Sequence, residues 1–340
     1  MATGQFGIGF NAVYRITDVP SFLTIGETVP NGGALVMFDP HCNYVPLATP
    51  QSPGMMIEDI KMIERDFPDM YNAYLTNKIS GSKGTWFRFP LRTESMAKQS
   101  KIRPRCVTTN EDLEECFKSL EKDIPKSLIF LANIIKISLS VITDDGTMEQ
   151  IASVTSDRDP TVQEKLTEFY RNAKQHTESL RSGEIPLGKE KGVSVQYMQK
   201  LDITTNEQKW QELWSVSHVC GTFASGDVEP MLIDGFRNKE IALSPRAGVA
   251  FQITTGLDIK ASTAFNFLPL PIQTKLPVHV NGHFAVDSAR INIFEKRKGE
   301  NIKEIWNDFL IGQAIPFAYI ELMCYLREHL FESNEMNIVN

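Results

Sequence analysis

The stretch GQFGIGFNAVYRITDVPSF, Gly4 to Phe22, decides how the rest of the chain is read. Gly4, Gly7 and Gly9 lead directly into an expected helix from about Phe10 to Ile16. Glycines let backbone N–H groups approach an anion closely, and a helix start turns its positive end to the same place. The spacing is G-x-x-G-x-G, the reverse of the dinucleotide fingerprint G-x-G-x-x-G. No P-loop lysine follows, because Gly9 is succeeded by Phe10-Asn11-Ala12-Val13. Taken alone, the three glycines fit a phosphate cradle and a glycine-rich turn packed on a helix equally well.

Outward from this point, Leu23 to Met56 reads as short strands joined by turns at Pro30-Asn31-Gly32-Gly33, Asp39-Pro40 and Ser52-Pro53-Gly54. A weakly helical segment is expected around Ile57 to Leu75. GTWFRFPLR (Gly84 to Arg92) reads as a strand, with Phe87, Phe89 and Leu91 on one face and Trp86, Arg88 and Arg92 on the other. A helix follows with Asn110 as N-cap and Leu113, Phe117, Leu120 and Ile124 as its apolar stripe, ending at Pro125. Alternation in Ile135 to Val141 predicts a strand, and Asp144-Asp145-Gly146 a tight turn. The next helix spans Thr161 to Leu180, stopped by Gly183. Val193–Leu201, Met231–Phe236 and Gly248–Ile253 look strand-like. A proline-bracketed apolar stretch runs from Phe267 to Val286, and a helix is expected from about Ile302, kinked or restarted at Pro316.

GQFGIGFNAVYRITD resembles the third nucleotide-binding box of the GHKL ATPases, in the form found in heat shock protein 90-class chaperones. The longer pattern adds MFDPH, YVP, GTWFRFPLR and LPLPIQTKLPVHVNGHFAVD, and it is similar to the sacsin-type repeats. The resemblance runs from Gly4 to about Asp287. It implies an α+β chain: an incomplete GHKL (Bergerat) α/β sandwich over residues 1–150, then a second, middle-type α/β domain over 151–340 with a C-terminal helical segment. It also implies a phosphate loop made of Gly4, Gln5, Phe6, Gly7, Ile8 and Gly9, with Phe10 opening the helix behind it. Thr85 matches the threonine that hydrogen-bonds toward adenine. Without the resemblance, Thr85 reads as an ordinary β-branched strand residue.

The family's general-base glutamate, its magnesium-binding asparagine and its D-x-G-x-G box all lie N-terminal to the glycine loop. This sequence, with three residues before Gly4, contains no match to them. The expectation is therefore weak or absent ATP binding, no magnesium, no catalytic residue and doubtful hydrolysis in a truncated chain, because hydrolysis needs a base and an oriented water. Lacking the family's N-terminal helix, the sheet joined by GTWFRFPLR and IIKISLSVI is expected to expose an apolar face that invites self-association or a partner. The implied role is a chaperone or co-chaperone segment acting on client proteins, with other chaperones and neighbouring repeats of a larger chain as further partners. The alternative is a nucleotide-independent scaffold.

At 340 residues two domains are expected. A composition of 42% hydrophobic and 23% charged residues is ordinary for a globular chain, and the net charge of −7 argues against nucleic acid as a main ligand. Cys42, Cys106, Cys116, Cys220 and Cys324 are dispersed, as free thiols in a reducing compartment are, so a cytoplasmic location is expected. No uninterrupted apolar run approaches the roughly 20 residues of a membrane span. His279, His283 and Asp287 have four-residue spacing, but Pro277 and Asn281-Gly282 argue against the helix that would make them a metal site. His218 and Cys220 read as a packed pair on one strand face, Trp210 and Trp214 as packing residues. Lys98, Lys101, Arg103 and Arg105 read as a solvated basic loop, or as a phosphate contact.

Overall fold

The structure, a computed structural model, describes residues 8–75, 83–184, 192–221, 228–253, 262–287, 289, 291–294 and 301–331. The fold is mixed α and β, and the chain divides into two compact units, residues 6–116 and residues from 117 onward.

The first unit opens with α1 (Ile8–Asn11) and a 3-10 turn (Ala12–Arg15). Strands β1 (Ser21–Ile25), β2 (Gly33–Phe38) and β3 (Gly54–Ile57) follow, then helices α2 (Ile60–Asp66) and α3 (Pro68–Asn72), strand β4 (Gly84–Arg88) and helix α4 (Glu94–Gln99). The antiparallel sheet has the order β3-β2-β1-β4. Its register sets Ile57, Leu35, Leu23 and Trp86 in one row across the sheet. That row packs with Ile63 of α2 and Tyr74 into a small core. The alternation expected for β4 holds, and the covered face is that of Trp86, which is buried, while Phe87 is 55% exposed. Alternation fixes which residues share a face but does not say which face is covered, and here α2 and α3 supply the cover on the Trp86 side.

Helix α5 (Asn110–Ser127) follows. Its N-cap is Thr109, one residue before the expected Asn110. Thr109 Oγ1 accepts from the Asp112 amide, and the Asp112 carboxylate accepts from the Thr109 amide, a reciprocal capping box. Pro125 lies inside the helix rather than ending it. It sits near the C-terminal end, so the i−4 bond it removes is one of the helix's last, and Ser127 Oγ donates to the Asp123 carbonyl at 2.7 Å.

The second unit is built on β5 (Lys136–Ile142), β6 (Met148–Asp157), α6 (Pro160–Ser182), β7 (Val193–Thr205), β8 (Lys209–Cys220), α7 (Pro230–Arg237), β9 (Arg246–Ile253), β10 (Ser262–Asn266), β11 (Leu268–Thr274) and β12 (His279–Gly282). Helices α8 (Ile302–Phe309) and α9 (Ile315–Leu326) close it, joined through a π-helical turn at Leu310–Ala314. The sheet order is β11-β10-β12-β9-β8-β7-β6-β5. Three expectations fail here. Strand β5 joins this sheet and not that of GTWFRFPLR, and a boundary at 150/151 would cut β6. The tight turn expected at Asp144-Asp145-Gly146 joins β5 and β6 as a hairpin. Met231–Phe236 is helical, because Pro230 occupies the first helical turn and Leu232 and Phe236 share one buried face.

Helix α6 ends at Gly183 as expected, and the structure adds the start. The Asp159 carboxylate accepts from the Thr161 amide, Pro160 starts the helix, and Gly183 ends it at φ 80°. Both faces of the eight-stranded sheet are packed. Tyr197, Trp214, Val216 and Ala250 lie against Leu166, Phe169 and Ala173 of α6. Val219, Val249 and Val280 lie in a second cluster with Phe236, Trp306, Leu310 and Leu322. The continuous helix Ile302–His329 is long and apolar enough, by length and composition, to cross a membrane, which the search for uninterrupted apolar runs missed. Leu310, Ala314, Ala318, Leu322 and Leu326 recur at every fourth residue and lie in the core, while Ile311, Ile320 and Met323 are about half exposed.

Candidate functional site

Strands β1 and β4 pair so that Phe22 faces Phe87 and Thr24 faces Thr85. These four side chains share the face opposite the Leu23–Trp86 core. The Thr24 and Thr85 hydroxyls lie 3.0 Å apart and are exposed. Phe10 of α1 lies over the same face, with its ring 5.2 Å from Phe38 and 6.2 Å from Phe87. Phe22 sits 5.7 Å from Phe87 and 6.1 Å from Phe38, and Phe89 extends the cluster. The result is an aromatic floor with a hydroxyl pair beside it.

Of the residues assigned to the phosphate loop, Gly4, Gln5, Phe6 and Gly7 lie outside the described residues. Ile8 opens α1, with Gly9 and Phe10 inside it. A Cβ added at Gly9 would meet nothing within 4 Å, so no packing among the described residues requires glycine there. The structure thus brings Phe10 and Thr85, 75 positions apart in the sequence, onto one sheet face through Phe87. Thr24, Phe22 and Phe38 were not singled out from the sequence. Their signal was strand alternation, legible only once the covered face is known.

A buried ion pair braces this arrangement. The Arg92 guanidinium binds Asp18 Oδ1 through Nε at 3.0 Å and Nη2 at 2.8 Å, and both side chains are fully buried. Arg92 also donates to the carbonyls of Tyr14, Arg15 and Thr17, which are left unpaired where the 3-10 turn ends. Ser100 Oγ adds a third bond to Asp18 Oδ1 at 3.1 Å. The last residue of GTWFRFPLR is therefore tied to the aspartate of GFNAVYRITD. Asp39 ties the next loop, accepting from the amides of His41, Tyr44 and Val45. Burial first, then the Asp39 and Asp18 carboxylates, raises the Tyr14 phenol above its ordinary range.

The other constellations are structural. His279 Nδ1 accepts from the Thr263 amide and its ring stacks on Trp214 at 5.1 Å. His283 Nδ1 accepts from the Ser244 amide, and Asp287 accepts from Ile291 and Asn292. Among the described residues no group of three or more His, Cys, Asp and Glu side chains could hold a metal ion. Burial lowers His218 to about 3 and raises Cys220 to about 11. Trp210 and Trp214 both donate to the Glu212 carboxylate, one to each oxygen.

The Sacsin domain family model matches residues 1–153. Human sacsin (Homo sapiens) is 35% identical over 336 residues, which is 98% of this chain and 7% of the human protein. The chain therefore spans 7% of the length of the curated relative it matches. Together these matches cover the glycine loop, the aromatic face and the whole second unit, and the chain is a sacsin-type segment.

Proposed function

We propose that this sacsin-type segment is a chaperone or co-chaperone module whose aromatic sheet face is the remnant of a GHKL, heat shock protein 90-like ATP site. Gly9 carries the reading. It is a glycine inside a helical turn, with open space around it, next to Phe10 and on the side of the sheet that bears Thr85. Glycine in a helix costs about 0.5–1 kcal/mol relative to alanine, so one that no packing requires points to close approach of a ligand. The face suits a flat nucleobase on Phe22 and Phe87, with the Thr24–Thr85 hydroxyls at its edge. In this reading Gly4 to Gly9 would hold the phosphates by their backbone amides. When bound, ATP would bias client contacts through its differential affinity for two states. Clients and partner chaperones in the cytoplasm belong to the same proposal.

The residues present offer hydroxyls and amides but no match to the family's glutamate or magnesium-binding asparagine, so ATP binding to residues 1–340 is weak and hydrolysis negligible. A second reading has its own observation. Phe87 is 55% and Met56 60% exposed on the open face, as in a nucleotide-independent protein-interaction surface.

Calorimetry with ATP and ADP, with and without magnesium, separates the two. The expected result is binding no tighter than about millimolar, roughly −4 kcal/mol, and lost in Gly7→Asp. Millimolar binding that survives Gly7→Asp would take nucleotide away from the glycine loop and leave the interaction surface. Micromolar binding abolished by Gly7→Asp would make the site complete.

A further inference from the structure

On the open side of the first unit's sheet the hydroxyls of Thr24 and Thr85 lie 3.0 Å apart, and either can be the donor. Two residues along the same strands, Phe22 and Phe87 form the neighbouring cross-strand pair, with ring centroids 5.7 Å apart. Leu23 and Trp86, between the two pairs, turn to the core on the other side. Just past the hydroxyl pair Glu27 and Lys83 form an ion pair with each other, so that carboxylate is already engaged. The open face therefore sets a ring floor beside two neutral, mutually bonded hydroxyls.

Such a pair has no fixed polarity. A hydroxyl rotates and can donate or accept. One of the two protons is spent between the oxygens, and the other is free. When Thr24 donates, the free proton is on Thr85, and when Thr85 donates it is on Thr24. Turning both hydroxyls therefore exchanges the places of donor and acceptor. An ionised carboxylate cannot do this, because it only accepts. Purine edges come in two orders. Adenine sets its N6 amino donor beside the N1 acceptor, and guanine sets its O6 acceptor beside the N1–H donor. A fixed acceptor opposite position 6 matches adenine and leaves the guanine oxygen facing an oxygen.

Resting on the nucleotide reading above, we infer that this face takes adenine and guanine nucleotides alike, with the Thr24–Thr85 pair reversing to meet either edge. Stacking on the rings is tolerant of base identity, because every base has a π face. It grows with ring area, so pyrimidine nucleotides bind more weakly than purine ones. Thr24 then shares the choice of base with Thr85.

The test is an NMR titration of residues 1–340 with ATP, GTP and CTP, followed at Gly9, Thr24 and Thr85. Dissociation constants for ATP and GTP within about threefold of each other are expected, with CTP at least about threefold weaker. Thr24→Ser keeps the hydroxyl and should keep the equality. Thr24→Asp fixes an acceptor in the pair and should favour ATP over GTP by about tenfold. Repulsion between its charge and the phosphates is common to both nucleotides and leaves their ratio unchanged. A larger preference for ATP or for GTP in the wild-type chain overturns the inference and leaves the nucleotide reading standing. Equal binding of ATP and GTP to folded Thr24→Asp also overturns it, because the base would not reach the hydroxyls. CTP as tight as the purine nucleotides does the same, by taking the base off the rings. No shift at Gly9 or Thr85 with any nucleotide removes the nucleotide reading itself, and this inference with it.

Discussion

In strand β8, Val216 and Val219 point into two different cores, one against α6 and the other against α7, α8 and α9. In strand β1, Leu23 points into a core, while its neighbour Phe22 points onto an aromatic face that stays half open. The larger sheet has spent both of its faces on stability. The smaller one packs one face and leaves the other half open. The open face is therefore where the proposed function is to be tested.

The sharpest way to break this contrast is to remove the brace. Arg92→Ala leaves Asp18 buried without its counter-ion and three carbonyls without a donor, and should cost about 3–5 kcal/mol. Urea unfolding followed at Trp86, the only tryptophan of residues 6–116, reads it directly. A loss below about 1 kcal/mol would mean that the open face does not depend on the pair.

The packed sheet makes a different prediction, in pH. Burial, then Arg158 and Arg246, hold His218 at about 3, against 6.5 for a free imidazole. The unfolded chain takes up a proton below about pH 6.5 that the folded chain refuses until about pH 3. Stability is therefore full above pH 6.5 and falls as pH drops between those values. His279, lowered to about 4 by burial and then Lys126, adds to the same slope. Denaturation midpoints from pH 7 to pH 4 should fall steeply, and His218→Gln, which keeps a group able to bond the Tyr197 hydroxyl, should flatten the fall. An unchanged slope would place the acid sensitivity elsewhere.

The smallest effect on stability is expected at the open face itself. Phe87→Ser removes a ring that is 55% exposed, and should shift stability by less than about 1 kcal/mol while lowering self-association in sedimentation. A large loss of stability would show that Phe87 is core rather than contact surface.

Much of this was legible in the residues. Gly183 marks the end of α6 because capping is local chemistry, and the alternation in Ile135 to Val141 pointed to β5 because a strand's period is local too. What was not legible depends on contacts distant in sequence. Trp86 and Phe87 alternate in any strand, and only the packing of Ile63 and Tyr74 decides which is covered. The division near residue 116 has no local signal because α5 runs through it without a break. The Arg92–Asp18 pair spans 74 positions and has no local signal. For the glycine loop, pattern alone left a turn and a cradle equally open. It was the resemblance that chose between them, and Gly9 and Thr85 are the two loop and strand residues whose surroundings the structure describes.

The most direct measurement is a residue-resolved NMR titration of the chain with ATP up to about 10 mM, following Gly9, Phe10, Thr24 and Thr85. The account predicts weak, saturating shifts at these four positions, with none at Trp210, Trp214 or Trp306 of the packed sheet and its helices. Shifts confined to the second unit, or none at Thr85 and Gly9 at any concentration, would contradict it.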